Sequence, residues 1–247
     1  MYEHDHLVDV CDAQDGFAFE GVIDQISRMP WEKVSNHEVL KIAKVYYYFS
    51  IQFRENLAQF RENLAIACRL RPQDECLKKL YREECDTDNL SPFPGVTAVG
   101  EKVNHDEFMR RLLAFQPIQQ EDMLDRAGAA YLQRARQIDD SIRARSLASY
   151  EDGGLSTVFS AMLRAPRWQG AGQQAFRFFL EEHIRFDTDA DGGHGALSRH
   201  LTLDDDILPL WTEFKDLLTI AAPILAEIPA GTRNARGDAQ LVNALYL

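Results

Sequence analysis

The sequence is short of the features that most often announce a function by themselves. Its four cysteines, Cys11, Cys68, Cys76 and Cys85, include no CxxC pair, which speaks against a zinc ribbon or a disulfide framework and for reduced thiols. Positive charge is scarce: 27 Lys and Arg stand against 39 Asp and Glu, a formal net charge of -12. Phosphate backbones would be repelled, so no nucleic-acid partner is expected. No GxSxG, P-loop or GxGxxG pattern occurs, which leaves hydrolase-elbow, nucleotide and dinucleotide chemistry without support.

Long apolar runs are missing too. The longest near the C-terminus, LLTIAAPILAEI, contains Pro223 and is shorter than the ~20 residues of a membrane span. The opening MYEHDHLVDV carries acids and histidines where an export signal would need a basic start and an apolar core. A cytoplasmic protein with no membrane partner is expected.

What is present is helical periodicity. No segment sustains the apolar/polar alternation of a half-buried strand, and 45% hydrophobic residues in 247 suffice for a sizeable core. The expectation is one all-α domain over 1–247, with residues 229–247 weakly ordered. A first helix is predicted near 16–28. Ser35 with Glu38 forms a capping-box signature, and no Gly or Pro follows until Pro72, so a helix to about residue 70 is predicted.

Within that helix FRENLA occurs twice, seven residues apart. Phe53, Leu57, Phe60 and Leu64 thereby share one seam, read as core packing. Pro72 is expected in the first turn of a second helix ending near Glu84. Asn104 with Glu107 resembles a further cap. Helices are predicted over about 119–148, 155–163 and 204–226, with another through QQAFRFFLEEHIRF.

The chemistry-bearing residues cluster late. His183 and Asp187 are four apart in a helical pattern, which puts both on one face and within reach of one metal ion. His194 and His200 follow. Glu83 and Glu84 end the second predicted helix, His105 opens a later one, and Glu55 and Glu62 lie on the long helix. Carboxylates and imidazoles drawn from several helices are what a di-iron or di-manganese site in a bundle uses: carboxylates neutralise and bridge the ions, and imidazoles hold iron without overcharging the site.

The run FFLEEHIRFDTDADGGHGALS resembles the late metal-binding helix of the heme-oxygenase-like di-iron oxidases, a superfamily that shares its fold with TenA-like proteins and the pyrroloquinoline-quinone synthesis oxidase. LYREECDTD followed by VNHDEFMRRLLAF is similar to that family's earlier half. The resemblance covers roughly residues 36–200. It implies a heme-oxygenase-like helical bundle and metal ligands at Glu84, His105, His183, Asp187 and His194, with Glu55 chosen for the aromatic-rich helix containing YYYFSIQF.

Two iron ions, or manganese in their place, would then activate dioxygen on a small organic substrate, amino-acid or fatty-acid derived, with no haem or nucleotide. Tyr46, Tyr47 and Phe49 are candidate walls of the substrate cavity, although core packing would place aromatics in the same way. The sequence departs from the family at His194, seven residues after Asp187 with two glycines between them; the second histidine usually follows the Asp by three or four.

Two other readings stay open. A metal-free bundle of the same fold would bind a small molecule or partner. Asp187, Asp189, Asp191 and Gly192 spell the opening of a calcium loop, but His194 and Ser198 stand where an apolar residue and a bidentate Glu belong. A homodimer is compatible with a helical bundle.

Overall fold

The computed structural model describes residues 18–85, 92–101, 103–150, 154–187 and 205–227. Among the described residues the chain is all-α: α1 (Ala18–Ser27), α2 (Asn36–Leu70), α3 (Glu75–Cys85), α4 (His105–Leu113), α5 (Glu121–Ala135), α6 (Asp140–Ser149), α7 (Leu155–Met162), α8 (Ala171–Asp187) and α9 (Leu208–Ala221). The one β feature among them is an isolated bridge between Phe93 and Thr97.

The long helix α2 forms where the capping box predicts it. Ser35 Oγ accepts from the Glu38 N–H, and the Glu38 carboxylate accepts from the Ser35 N–H at 2.8 Å, so two otherwise orphaned donors are satisfied at the helix start. At 35 residues the helix runs about 52 Å and packs against α3, α4, α5, α6, α8 and α9. Its seam residues Phe53, Leu57, Phe60 and Leu64 are all buried. So are Val39, Leu40, Ile42, Ala43, Val45, Tyr46 and Phe49, a distribution that encircles the N-terminal half of α2 rather than striping it.

Several boundaries differ from expectation for local reasons. The second helix starts at Glu75 rather than Pro72, because the Asp74 side chain accepts from the Leu77 N–H at 3.0 Å and so takes the capping role. The helix predicted over 119–148 is two helices. Asp139 caps α6 by accepting from the Ser141 N–H at 2.9 Å, and the chain turns between Ala135 and Asp140. Asn104 precedes α4 without a side-chain cap hydrogen bond. The closing helix begins at Leu208 after a 3-10 turn, and Pro223 ends it by opening a second such turn. Of the four cysteines, Cys68 is the one whose side chain is described; it is a free, half-buried thiol. No described helix is long and apolar enough to cross a membrane.

The α2–α5 contact depends on one glycine. A Cβ at Gly128 would lie 2.1 Å from Tyr48 Cδ2, and the Tyr48 ring cannot easily retreat because its hydroxyl donates to Asp125 at 2.5 Å. Asp125 also pairs with Lys44 at 2.7 Å. Burial pushes the Tyr48 phenol well above its ordinary range, with the Asp125 hydrogen bond acting in the same direction, so it remains a donor. At an open helical site Gly→Ala would stabilise by about 1 kcal/mol. Gly128→Ala is expected instead to destabilise by about 1–3 kcal/mol through overpacking, read as a fall in denaturation midpoint; a rise would mean that Tyr48 moves freely.

Candidate metal centre

His105 is the first residue of α4 and His183 lies in the last turns of α8, 78 positions later. Helix α4 packs on both α2 and α8, and this brings the two imidazoles together with Nε2 to Nε2 at 3.0 Å. Phenylalanine rings surround them. Phe179 lies against His183 with ring centroids 4.0 Å apart, Phe159 stands edge-on to the same ring, and Phe53 and Phe179 both contact His105.

The protonation pattern follows from one further contact. His183 Nδ1 lies 2.7 Å from the Phe179 carbonyl oxygen, which can only accept, so Nδ1 carries the hydrogen. In the neutral ring the lone pair is then on Nε2, directed at His105. A backbone carbonyl that fixes the tautomer through Nδ1 is the usual partner of a metal-binding imidazole.

The ring centroids are 4.7 Å apart, less than the about 5.2 Å of an in-line N–H···N bond of this length, so the contact is bent. The donor set itself suits a divalent transition metal: two imidazoles from different helices with their Nε2 atoms side by side, one of them already oriented through Nδ1. Without the ion, His105 satisfies the contact by carrying its hydrogen on Nε2; to bind one, it would shift that hydrogen to Nδ1.

The remaining candidates divide. Glu55 is placed elsewhere: its carboxylate takes two hydrogen bonds from Arg136, at 2.5 and 3.0 Å, and approaches Arg143 at 3.6 Å. The reason is helical phase. Two residues from Phe53, which touches His105, Glu55 projects about 200° around α2. Glu84 and Asp187 lie at the ends of α3 and α8, with side chains outside the described residues; His194, His200 and the calcium-loop positions 188–198 lie outside them altogether. Among the described residues, no three His, Cys, Asp or Glu side chains converge, so the histidine pair is the described part of the site.

The aromatic candidates Tyr46 and Phe49 are core residues, 3% and 0% exposed. Tyr46 meets Phe49, Phe159, Phe176, Phe179 and Phe214, and Phe49 also meets Tyr150 and Phe214. Tyr47 is half-buried beside Tyr48. Core packing thus accounts for Tyr46 and Phe49, and it is Phe53, Phe159 and Phe179 that flank the histidines. Asp106, next to His105, is also buried; it pairs with Arg54 at 3.1 Å through Oδ2, while Oδ1 has no hydrogen-bond partner among the described residues. An acid in the first turn of a helix reads from sequence as an ordinary dipole partner.

Compared with protein-family models, curated proteins and solved structures, the chain matches none of them. In metal-free protein, nitrogen-resolved NMR of the imidazoles is expected to show His183 protonated at Nδ1 and His105 at Nε2. A His183 ring protonated only at Nε2 would contradict the carbonyl contact and remove the basis for a shared ion.

Proposed function

We propose that the chain is a non-haem, metal-dependent oxidase or oxygenase that uses dioxygen on a small organic substrate. The observation that carries this reading is the convergence of His105 and His183, from helices far apart in sequence, with their Nε2 atoms 3.0 Å apart. Iron, when bound, supplies the redox chemistry with dioxygen that no side chain can.

The chain's own contribution is orientation and exclusion of water. The Phe179 carbonyl holds the His183 ring at one angle and in one tautomer. Phe53, Phe159 and Phe179 surround the imidazoles with apolar surface, which strengthens electrostatic interactions at the site. This lining suits an organic substrate with an apolar portion. Two imidazoles side by side supply ligands for one ion. The second ion of a di-iron centre would rest on carboxylates, for which Glu84 and Asp187 are the candidates, and Glu55 is withdrawn from the ligand set.

The alternative is a metal-free bundle in which the two imidazoles are joined by a hydrogen bond and hold no ion; the 3.0 Å separation is compatible with it. Loading with ferrous iron in the absence of oxygen, followed by metal analysis, separates the two. At least one iron per chain is expected, with affinity falling about 10-fold or more in His105→Ala and in His183→Ala, whereas Glu55→Gln should retain the metal. A folded wild-type protein that takes up no iron would leave the binding-module reading. Calcium-dependent stability unaffected by His183→Ala would instead point to the loop that begins at Asp187.

A further inference from the structure

The two candidate ligands are oriented by different means. His183 takes its angle from the Phe179 carbonyl of its own helix. His105 is the first residue of α4, where backbone N–H groups have no acceptor within the helix, and Asn104 before it makes no side-chain cap hydrogen bond. Phe108, Met109 and Leu112 hold the body of α4 in the core, but they lie further along the helix and apolar contact is non-directional.

Helix α2 supplies a directional contact at the first turn. Its consecutive residues Phe53 and Arg54 meet the consecutive residues His105 and Asp106. The Phe53 and His105 rings have centroids 5.5 Å apart, and Arg54 Nη2 lies 3.1 Å from Asp106 Oδ2. Successive side chains of a helix diverge by about 100°, so the two contacts grip the start of α4 from different directions, and a rotation that one tolerates the other opposes. The Asp106 side chain is 12% exposed and that of Arg54 50%. With one partner half in solvent, the pair adds little to global stability, yet it ties a largely buried carboxylate to a defined place on α2. In a helix whose side chains reach about 6 Å from the axis, a rotation of about 10° moves their ends by about 1 Å. Such a shift takes nitrogens 3.0 Å apart out of hydrogen-bonding range.

We propose that the Arg54–Asp106 ion pair is a positioning contact that holds His105 Nε2 against His183 Nε2. It acts through the backbone of the first turn: fixing the Asp106 carboxylate on α2 fixes the residue bonded to it. Its effect on metal binding rests on the reading of the histidines as ligands, whereas its effect on the placement of His105 does not. Glu107 is the internal comparison. It is also an acid in the first turn, and so equally a partner of the helix dipole, but its carboxylate accepts from Arg110 and Arg111 of α4 itself and does not tie the helix to α2.

The test uses the whole chain in two states. In metal-free protein, nitrogen-15 NMR reads the scalar coupling across the hydrogen bond between the His105 and His183 Nε2 atoms. The coupling is expected in the wild type, lost in Asp106→Asn and Arg54→Gln, and kept in Glu107→Gln and in the charge-conserving Arg54→Lys. Titration with ferrous iron in the absence of oxygen should show affinity lowered about 10-fold in Asp106→Asn, with no further loss in the Arg54→Gln/Asp106→Asn double variant, because the two residues act as one unit. An Asp106→Asn protein that keeps the coupling overturns the proposal, as does a wild type without it. An equal loss in Glu107→Gln also overturns it, by assigning the effect to the charge of the first turn. A wild type that shows the NMR pattern but takes up no iron upholds the positioning contact and removes the oxidase reading, so the two fail separately. Arg54 is half-exposed, and its variants carry the test where Asp106→Asn does not fold.

Discussion

The uninterrupted helix α2 is the constraint on which the rest of the structure depends. Because it advances about 100° per residue, neighbouring side chains are sent in different directions. Phe53 goes to His105, Glu55 to the guanidinium groups of Arg136 and Arg143, Gln52 to the Tyr131 hydroxyl of α5, and Asn56 to Ser146 of α6. A proline in this stretch would kink or break the helix and re-aim everything beyond it. Its absence of breaks keeps the aromatic core, the histidine surroundings and the buried amides in fixed register with one another.

At the histidine pair, packing and chemistry are the same fact. Helix α4 presents His105 from its first turn, α8 presents His183, and the closeness of the two helices sets the spacing of the nitrogens. The carbonyl of Phe179 then decides where the hydrogen sits, and the Phe179 ring lies against the imidazole it orients. A single residue thus supplies both the electronic and the steric support of one candidate ligand. The proposed catalytic reading needs little more of the protein at this point than rigidity and a low local dielectric.

Much of the fold was legible in the sequence because it rests on local rules. The Ser35–Glu38 box, the unbroken stretch to Leu70 and the buried repeat seam are all decided within a few residues. The turn at Asp139 was missed since Arg136 to Asp139 contains neither Gly nor Pro, and an aspartate reads equally well as a helix-surface acid. Of the site, His105 and His183 could be nominated from residue type and placement, but their meeting is a long-range result that no spacing encodes. Glu55 pairs with Arg136 and Arg143, a placement that its helical phase relative to Phe53 carries and its residue type alone does not. Gln52 and Asn56 are buried by partners from α5 and α6, which their neighbours Arg54 and Glu55 in the sequence do not announce.

The contact between His105 and His183 joins segments 78 residues apart. In the unfolded chain nothing holds the two imidazoles together, so an ion bound by the pair would bind the folded state alone and stabilise it by mass action, more strongly as its concentration rises above its dissociation constant. The His183 ring is oriented by a carbonyl of its own helix, so α8 carries one half of the pair preformed as soon as it is helical, and only the docking of α4 supplies the other.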